Sequence, residues 1–235
     1  MPHATLDLTG RHVVITGGAG ALGTPVVSRF VAAGATCIVP CIDDGPGPRG
    51  LPGVRYLPRV ELTDERAVAS LYADLPDLWA SVHLAGGFVW AKLGDTTAQT
   101  ARAQFEMNCV TALLCCREAV KKMRASGSDE GGRIVNVASR GALHPAPGLA
   151  AYAMAKAAVV ALTQALANEL RGEHILVNAV APSLIDTPAN RAAMPDADHD
   201  KWAKPAEIAE TILFLASPSN ALTTGSIVHV EGREL

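Results

Sequence analysis

Residues 11 to 23 read Arg-His-Val-Val-Ile-Thr-Gly-Gly-Ala-Gly-Ala-Leu-Gly, an apolar run that passes directly into a glycine-rich turn. The apolar run predicts a buried strand at 11–16, and apolar residues at helical spacing predict a helix at 22–33. Gly34 ends this helix, and residues 35–41 form a second apolar strand. The first 41 residues therefore predict one β-α-β unit, whose two strands run parallel.

The rest of the chain repeats this alternation. Further strands are predicted at 54–60, 79–85, 133–138, 175–180 and 226–230, with helical patterns between most of them. About seven strands and about six helices in this order predict the α/β class, a doubly wound parallel sheet of the Rossmann type. We expect the 235 residues, 49% of them hydrophobic, to form a single domain over 1–235 that carries every site.

Residues 43–53, between the second and third predicted strands, hold four glycines and three prolines. Such a composition disfavours a helix and predicts a surface loop. In a doubly wound sheet this loop lies close to the adenosine half of a bound dinucleotide.

Composition narrows the classes of partner. Twenty Lys and Arg against 23 Asp and Glu give a net charge of -3, which provides no basic stripe for nucleic acid or for an anionic membrane. The sequence shows no signal peptide pattern and no long uninterrupted apolar run, so we expect a cytoplasmic protein. The five cysteines lack zinc-site spacing and are expected to be reduced core thiols, and no metal site is predicted.

The glycine turn has two interpretations. Three glycines after a strand can serve only a tight turn. The same turn, placed between a strand and a helix, also exposes backbone N–H groups and a positive helix end to a phosphate. This context favours dinucleotide binding.

Tyr152 and Lys156 stand one helical turn apart, and Ser139 precedes Tyr152 by thirteen residues. A lysine charge beside a phenol favours tyrosinate, so Tyr152 is our candidate general acid/base. Ser139, at the carboxyl end of a predicted strand, is placed to donate to a substrate oxygen. Taken singly, each side chain also has a structural interpretation: a half-buried aromatic, a solvated lysine, a turn cap.

These motifs, in this order, resemble those of the short-chain dehydrogenase/reductase family, short single-domain branch. The resemblance covers nearly the whole chain, from Thr16-Gly17 through Asn108, Ser139, Tyr152 and Lys156 to Thr224-Gly225. It implies an oxidoreductase that transfers a hydride between a nicotinamide cofactor and a secondary alcohol or ketone. It also implies that Asn108, in a helix beginning near Glu106, supports a water relay to Lys156, and that the protein is a homodimer or homotetramer.

The resemblance assigns residues to three sets. The catalytic set is Asn108, Ser139, Tyr152 and Lys156. The substrate set is Ser139, Leu143, His144 and Trp90, and residues 184–204 form a short, polar substrate-covering segment. The cofactor set is Gly17, Gly18, Ala19, Gly20, Ala21, Leu22, Gly23, Cys41, Asp43, Glu61, Leu62, Ala85, Gly86, Tyr152, Lys156, Pro182, Ser183 and Thr187.

Some positions depart from the family pattern. Ala21 stands where the short branch has its second glycine, and His83 where the family has asparagine. Cys41 replaces an aspartate that holds the adenosine ribose, but Asp43 and Asp44 follow it and favour NAD, whereas Arg49 leaves NADP open. These departures support an alternative, a non-catalytic or regulatory dinucleotide-binding protein on the same fold.

Overall fold

The computed structural model describes residues 6–47, 50–127 and 130–233. Its strands are β1 (His12–Thr16), β2 (Thr36–Pro40), β3 (Val54–Leu57), β4 (Ala80–His83), β5 (Gly132–Val137), β6 (Ile175–Pro182) and β7 (Ile227–Val230). Its α-helices are α1 (Gly23–Ala32), α2 (Glu65–Ala73), α3 (Ala98–Phe105), α4 (Thr111–Ser126), α5 (Arg140–Leu143), α6 (Ala150–Glu169), α7 (Pro188–Ala193) and α8 (Pro205–Ala216).

The seven strands form one parallel sheet in the order β3-β2-β1-β4-β5-β6-β7. This confirms the predicted doubly wound α/β fold. The order reverses between β1 and β4, and a crevice opens at such a switch point, beyond the carboxyl ends of the strands.

The core lies on both faces of the sheet because side chains alternate along each strand. In β1, Val13 and Ile15 pack on one face with Val26 and Phe30 of α1, together with α8. Val14, between them, packs on the other face with α2, α4 and α6. Burial on both faces explains why the strands read as continuous apolar runs.

Helix α1 ends where the sequence predicts, because Gly34 follows with a φ of +89°. The described residues of the segment 43–53 contain no α-helix, as predicted, while Pro48 and Arg49 lie outside the described residues. All five cysteines are buried and free, which confirms the expectation of reduced core thiols.

Helix α6 is, within the described ranges, the one helix long and apolar enough to cross a membrane by length and composition. It packs against the sheet and buries Lys156 and Thr163, as a core helix does.

Candidate active site

The glycine turn joins β1 to α1 without any side chain filling it. Gly17 has a φ of +67°, and a β-carbon on Gly23 would lie 2.1 Å from the Gly17 carbonyl oxygen. No side chain caps α1 at Leu22, while the N–H groups of Thr24 and Val26 donate to the carbonyl oxygens of Gly20 and Leu22. A bare turn at a helix N-terminus fits a pyrophosphate.

A cleft of about 880 Å³ extends from this turn along the carboxyl ends of the strands. Twelve of the predicted cofactor residues line it: Gly17, Ala19, Gly20, Ala21, Leu22, Gly23, Cys41, Asp43, Glu61, Leu62, Ala85 and Gly86. The sequence did not single out Val60, Thr63, Met107 and Thr111, which also line it.

Of the six predicted cofactor residues that do not line this cleft, four line an adjoining cavity, and Gly18 and Thr187 line neither. Gly18 lies beneath the turn, where a β-carbon would approach Val27 and Val39 to 2.9 Å. Gly18 therefore permits α1 to pack on β2. Thr187 is the N-cap of α7, since its hydroxyl accepts a hydrogen bond from the backbone N–H of Asn190.

A second cavity, of about 450 Å³, adjoins the cleft and shares Leu22, Leu84 and Gly86 with it. All four predicted catalytic residues line this cavity, as do Pro182 and Ser183. The structure thus brings together Asn108, Ser139, Tyr152 and Lys156, which the sequence spreads over 49 positions.

Ser139 and Tyr152 face each other across the first turn of α5. The Ser139 hydroxyl accepts a 3.0 Å hydrogen bond from the N–H of Gly141, and so keeps its own proton for another partner. Phe88 packs edge-on against the Tyr152 ring, with 5.9 Å between the two ring centres. Burial raises the pKa of Tyr152, and a hydrogen bond with Ser139 opposes this effect.

Lys156 lies beneath Tyr152 and is 6% exposed. Its ammonium donates a 2.8 Å hydrogen bond to the Val137 carbonyl oxygen and lies 6.0 Å from the Tyr152 ring centre. Burial lowers the pKa of Lys156 to about 8. We expected this charge to lower the pKa of Tyr152, but burial of the phenol dominates and the pKa is raised.

Asn108 lies in a π-helical turn, Glu106–Val110, inserted between α3 and α4. The helical segment thus begins at Ala98, and the expectation of a start near Glu106 is wrong. The Asn108 amide donates to the carbonyl oxygens of Gln104 and Gly87, both at 2.9 Å, and accepts from the N–H of Gly87. The π-turn aims Asn108 at the loop after β4, and such turns concentrate at functional sites.

His83 closes a buried chain of hydrogen bonds behind the site. The Thr163 hydroxyl donates to the Val159 carbonyl oxygen, so it accepts from the Asn136 amide nitrogen, and the Asn136 oxygen faces His83 Nδ1 at 2.7 Å. Nδ1 therefore carries the proton, and Nε2 accepts from Ser81 at 2.8 Å. Burial lowers the pKa of His83 to about 4, and the Asn136 bond only partly opposes this.

At the adenosine end of the cleft, Cys41 is 5% exposed. The Asp43 carboxylate accepts a 2.9 Å bond from the N–H of Gly45, while Asp44 pairs with Arg59 at 2.9 Å. Arg59 follows β3, and no sequence pattern indicates that it lies beside these aspartates. Arg49, the cation considered from the sequence, lies outside the described residues.

The predicted substrate residues separate into two groups. Ser139 and His144 line the smaller cavity, whereas Leu143 packs into the core beside α6 and Trp90 lies against Gly148, 57% exposed. Arg140, Leu149 and Asn190 also line the cavity; the sequence predicted a pocket wall at 140–151 and a substrate-covering segment at 184–204, but did not single out these three residues. For Arg140 the available signal was its place directly after Ser139.

The segment 184–204 is anchored at both ends. Ile185 and Ala203 form a parallel bridge, and Asp186 pairs with Arg191 and Lys204. Leu184 and Ile185 form part of the cavity wall. This segment borders the cavity and contains α7.

Taken together, a doubly wound sheet, a bare glycine turn and an adjoining polar cavity define a Rossmann-fold protein of the dinucleotide-binding class. A family model described as enoyl-(acyl carrier protein) reductase matches residues 19–232. The chain therefore belongs to the short-chain dehydrogenase/reductase family of oxidoreductases.

Similar proteins span almost the whole chain. A short-chain type dehydrogenase/reductase of Picea abies is 29% identical over 97% of this chain and 93% of its own length. A cyclopentanol dehydrogenase of Comamonas is 30% identical, covering 94% of this chain and 95% of the relative. A solved short chain dehydrogenase/reductase family protein superimposes with a TM-score of 0.86 at 31% identity, covering 96% and 97% of the two chains.

Proposed function

We propose that this protein transfers a hydride between a nicotinamide dinucleotide and a secondary alcohol or ketone, with Tyr152 as general acid/base. The observation that carries the proposal is that Ser139, Tyr152 and Lys156 line one cavity, which meets the glycine-turn cleft at Gly86. The similar cyclopentanol dehydrogenase, which by its name acts on a secondary alcohol, supports this substrate class.

The bound nicotinamide supplies or accepts the hydride. The Ser139 hydroxyl donates to the substrate oxygen, since the N–H of Gly141 leaves its proton free. In reduction the Tyr152 hydroxyl gives its proton to the developing alkoxide, and in oxidation it accepts the alcohol proton. The raised pKa keeps Tyr152 protonated at neutral pH, which suits the reducing direction.

Lys156 has two roles in this proposal. Below its pKa of about 8 it carries a positive charge in the buried site, and this charge stabilises negative charge that develops on Tyr152 or the substrate. In this proposal Lys156 also hydrogen-bonds the cofactor ribose, which is supported by its closeness to Gly86 of the cleft, where a β-carbon would lie 3.5 Å from Nζ. Asn108, fixed by Gly87 and Gln104, borders the same cavity and completes the water relay.

For the cofactor we propose NAD rather than NADP. Asp43 lines the cleft, where a carboxylate accepts ribose hydroxyls and repels a 2′-phosphate. Arg59, the described cation beside it, is paired with Asp44, which reduces its attraction for a phosphate.

We also propose a homodimer or homotetramer in the cytoplasm. Phe105, Leu113 and Met154, on α3, α4 and α6, are 45%, 45% and 67% exposed, and large apolar side chains at this exposure fit a subunit contact.

The test begins with titration of the purified protein with NADH and NADPH, followed by nicotinamide fluorescence. We expect tighter binding of NADH, and turnover with NADH of a substrate from a screen that contains both ketones and oxo acids. Tyr152→Phe is expected to lower kcat at least a hundredfold while the Kd for NADH stays within twofold. Equal turnover in this variant would contradict the assigned role of Tyr152, whereas binding without turnover of any ketone or oxo acid would favour the non-catalytic alternative.

A further inference from the structure

The cavity that holds Ser139 and Tyr152 is lined by basic side chains. Its lining includes Arg140, His144 and Lys156, and no aspartate or glutamate among the described residues lines it. Lys156 is buried and bonded to Val137, so Arg140 supplies the positive charge of the outer wall, and His144 adds an imidazole that can hydrogen-bond. A neutral ketone gains nothing from such a wall.

We propose that this wall binds a carboxylate of the substrate, so that the protein acts on oxo acids or hydroxy acids rather than on simple ketones. This inference rests on the proposed function for the position of the reacting carbonyl. Guanidinium binds carboxylate through two parallel N–H donors, and this planar match makes Arg140 the principal recognition group.

Arg140 is held from behind by a residue outside the cavity. Its Nε lies 3.4 Å from Oε1 of Glu231, beyond the end of β7, and the same oxygen is 3.0 Å from Nδ1 of His229. By contrast, Arg124 binds Glu173 with two hydrogen bonds of 2.6 and 2.7 Å. The longer, shared contact orients Arg140 and leaves it available to a second carboxylate.

The position of Glu231 is itself fixed by β6. The Ser183 hydroxyl donates to the Glu231 carbonyl oxygen at 2.8 Å, and the Ser183 N–H donates to the Val230 carbonyl oxygen at 3.1 Å. Ser183 also lines the cavity. The orienting carboxylate is thus tied to the same strand end that bounds the site.

The spacing suits a short acid. Arg140 directly follows Ser139 in the chain. The turn that these two residues begin is tight, because a β-carbon on Gly141 would lie 3.4 Å from Ser139 Oγ and 3.8 Å from the Tyr152 ring. A carbonyl between Ser139 and Tyr152 and a carboxylate at Arg140 would therefore share one cavity of about 450 Å³. Phe88, Leu149 and Ile185 provide apolar wall for the carbon chain between the two groups.

The experiment measures binding without turnover. Butanoate and its neutral counterpart butanamide are titrated into the protein, alone and saturated with NADH, by ligand-observed NMR. We expect butanoate to bind at least tenfold more tightly, Arg140→Gln and Arg140→Met to abolish this preference, and Glu231→Gln to strengthen butanoate binding. Arg171→Gln, an exposed arginine whose partner is Asn168, serves as the matched control and should leave the preference unchanged.

Equal binding of the two probes, binding of neither, or a preference that survives in both Arg140 variants would overturn the inference. Inorganic phosphate provides a second arm, because displacement of butanoate by phosphate at equal concentration would show a general anion site and not carboxylate recognition. These outcomes do not depend on hydride transfer. A protein that prefers butanoate but never binds NADH would refute the proposed function alone, and one that reduces pentan-2-one as well as 3-oxobutanoate would refute the carboxylate alone.

Discussion

Gly86 and Asn108 are packed so closely that a β-carbon on Gly86 would lie 2.6 Å from Oδ1 of Asn108. The same carbon would lie 3.5 Å from Nζ of Lys156. Gly86 is thus the point where the loop after β4, the π-turn and α6 meet, and it lines both the cofactor cleft and the substrate cavity.

Gly86→Ala should therefore impair catalysis. The added methyl group displaces the Asn108 amide, which then loses its bonds to Gly87, and we expect kcat to fall at least tenfold. Gly94→Ala is the control, because a β-carbon there meets nothing within 4 Å. Steady-state kinetics of both variants test this, and wild-type kcat in Gly86→Ala would show that Asn108 need not hold its place.

Two substitutions in the glycine turn should have different effects on cofactor binding. Gly23→Ala would place a methyl group 2.1 Å from the Gly17 carbonyl oxygen, so the turn must distort, and we expect cofactor binding to weaken more than tenfold. Ala21 is exposed in the cleft, and Ala21→Gly removes a methyl group from the face that approaches the pyrophosphate. Fluorescence titration should show an unchanged or lower Kd for NADH in Ala21→Gly, and weaker binding in that variant would contradict this account.

Lys156→Met should abolish turnover without destabilising the fold. A pKa of about 8 instead of 10.5 means that burying the ammonium costs roughly 3 kcal/mol at pH 7. The variant avoids this cost but leaves the Val137 carbonyl oxygen unpaired, which costs about 1–3 kcal/mol. We therefore expect a free energy of unfolding equal to or slightly above that of the wild type.

The sign of the pH dependence follows from the same shift. Between pH 8 and pH 10.5 the unfolded wild type holds the Lys156 proton and the folded state does not, so wild-type stability rises with pH and any advantage of Lys156→Met shrinks. Urea denaturation at pH 7 and pH 9 measures this. Lys121→Met is the control, because the Lys121 side chain is 62% exposed on α4, and this variant should keep turnover. A large loss of stability in Lys156→Met, but not in Lys121→Met, would refute the argument.

His83 should make the fold sensitive to acid. Its pKa is lowered from 6.5 to about 4, so between these values the unfolded chain binds a proton that the folded protein excludes. Stability from this residue is complete above pH 6.5 and falls by roughly 3 kcal/mol as the pH drops to 4. His83→Asn should flatten the stability curve over this range, although it lowers stability at pH 7.

His174→Asn is the matched control for this prediction. His174 is exposed with a φ of +56°, a conformation that asparagine tolerates, so its replacement should leave the pH dependence unchanged. Parallel stability curves for wild type and His83→Asn would show that the buried imidazole does not carry the acid sensitivity.

The fold and the residues proposed as catalytic could be predicted from the sequence because their signals are local. Apolar runs mark the strands, Gly34 marks the end of α1, and Tyr152 and Lys156 occupy one face of one helix. The π-turn around Asn108 was not accessible, because one extra residue in a helical turn leaves the apolar pattern almost unchanged.

Contacts between distant segments were also beyond the sequence. Arg59 reaches Asp44 from the neighbouring strand, and Arg140 reaches Glu231 across about ninety positions. Leu143 was assigned to the substrate because residues 140–151 read as a loop beside the reacting carbon, but the single turn of α5 directs this side chain into the core. Such orientations depend on packing, which the linear pattern does not encode.

Helix α6 carries Tyr152 and Lys156 on one rigid twenty-residue scaffold, whereas the 140–149 and 184–204 segments supply much of the cavity wall. Reactivity and selectivity are therefore encoded in separable parts of the chain. Laboratory evolution towards a new substrate can be confined to libraries in those two segments, with the reacting centre inherited unaltered from one generation to the next.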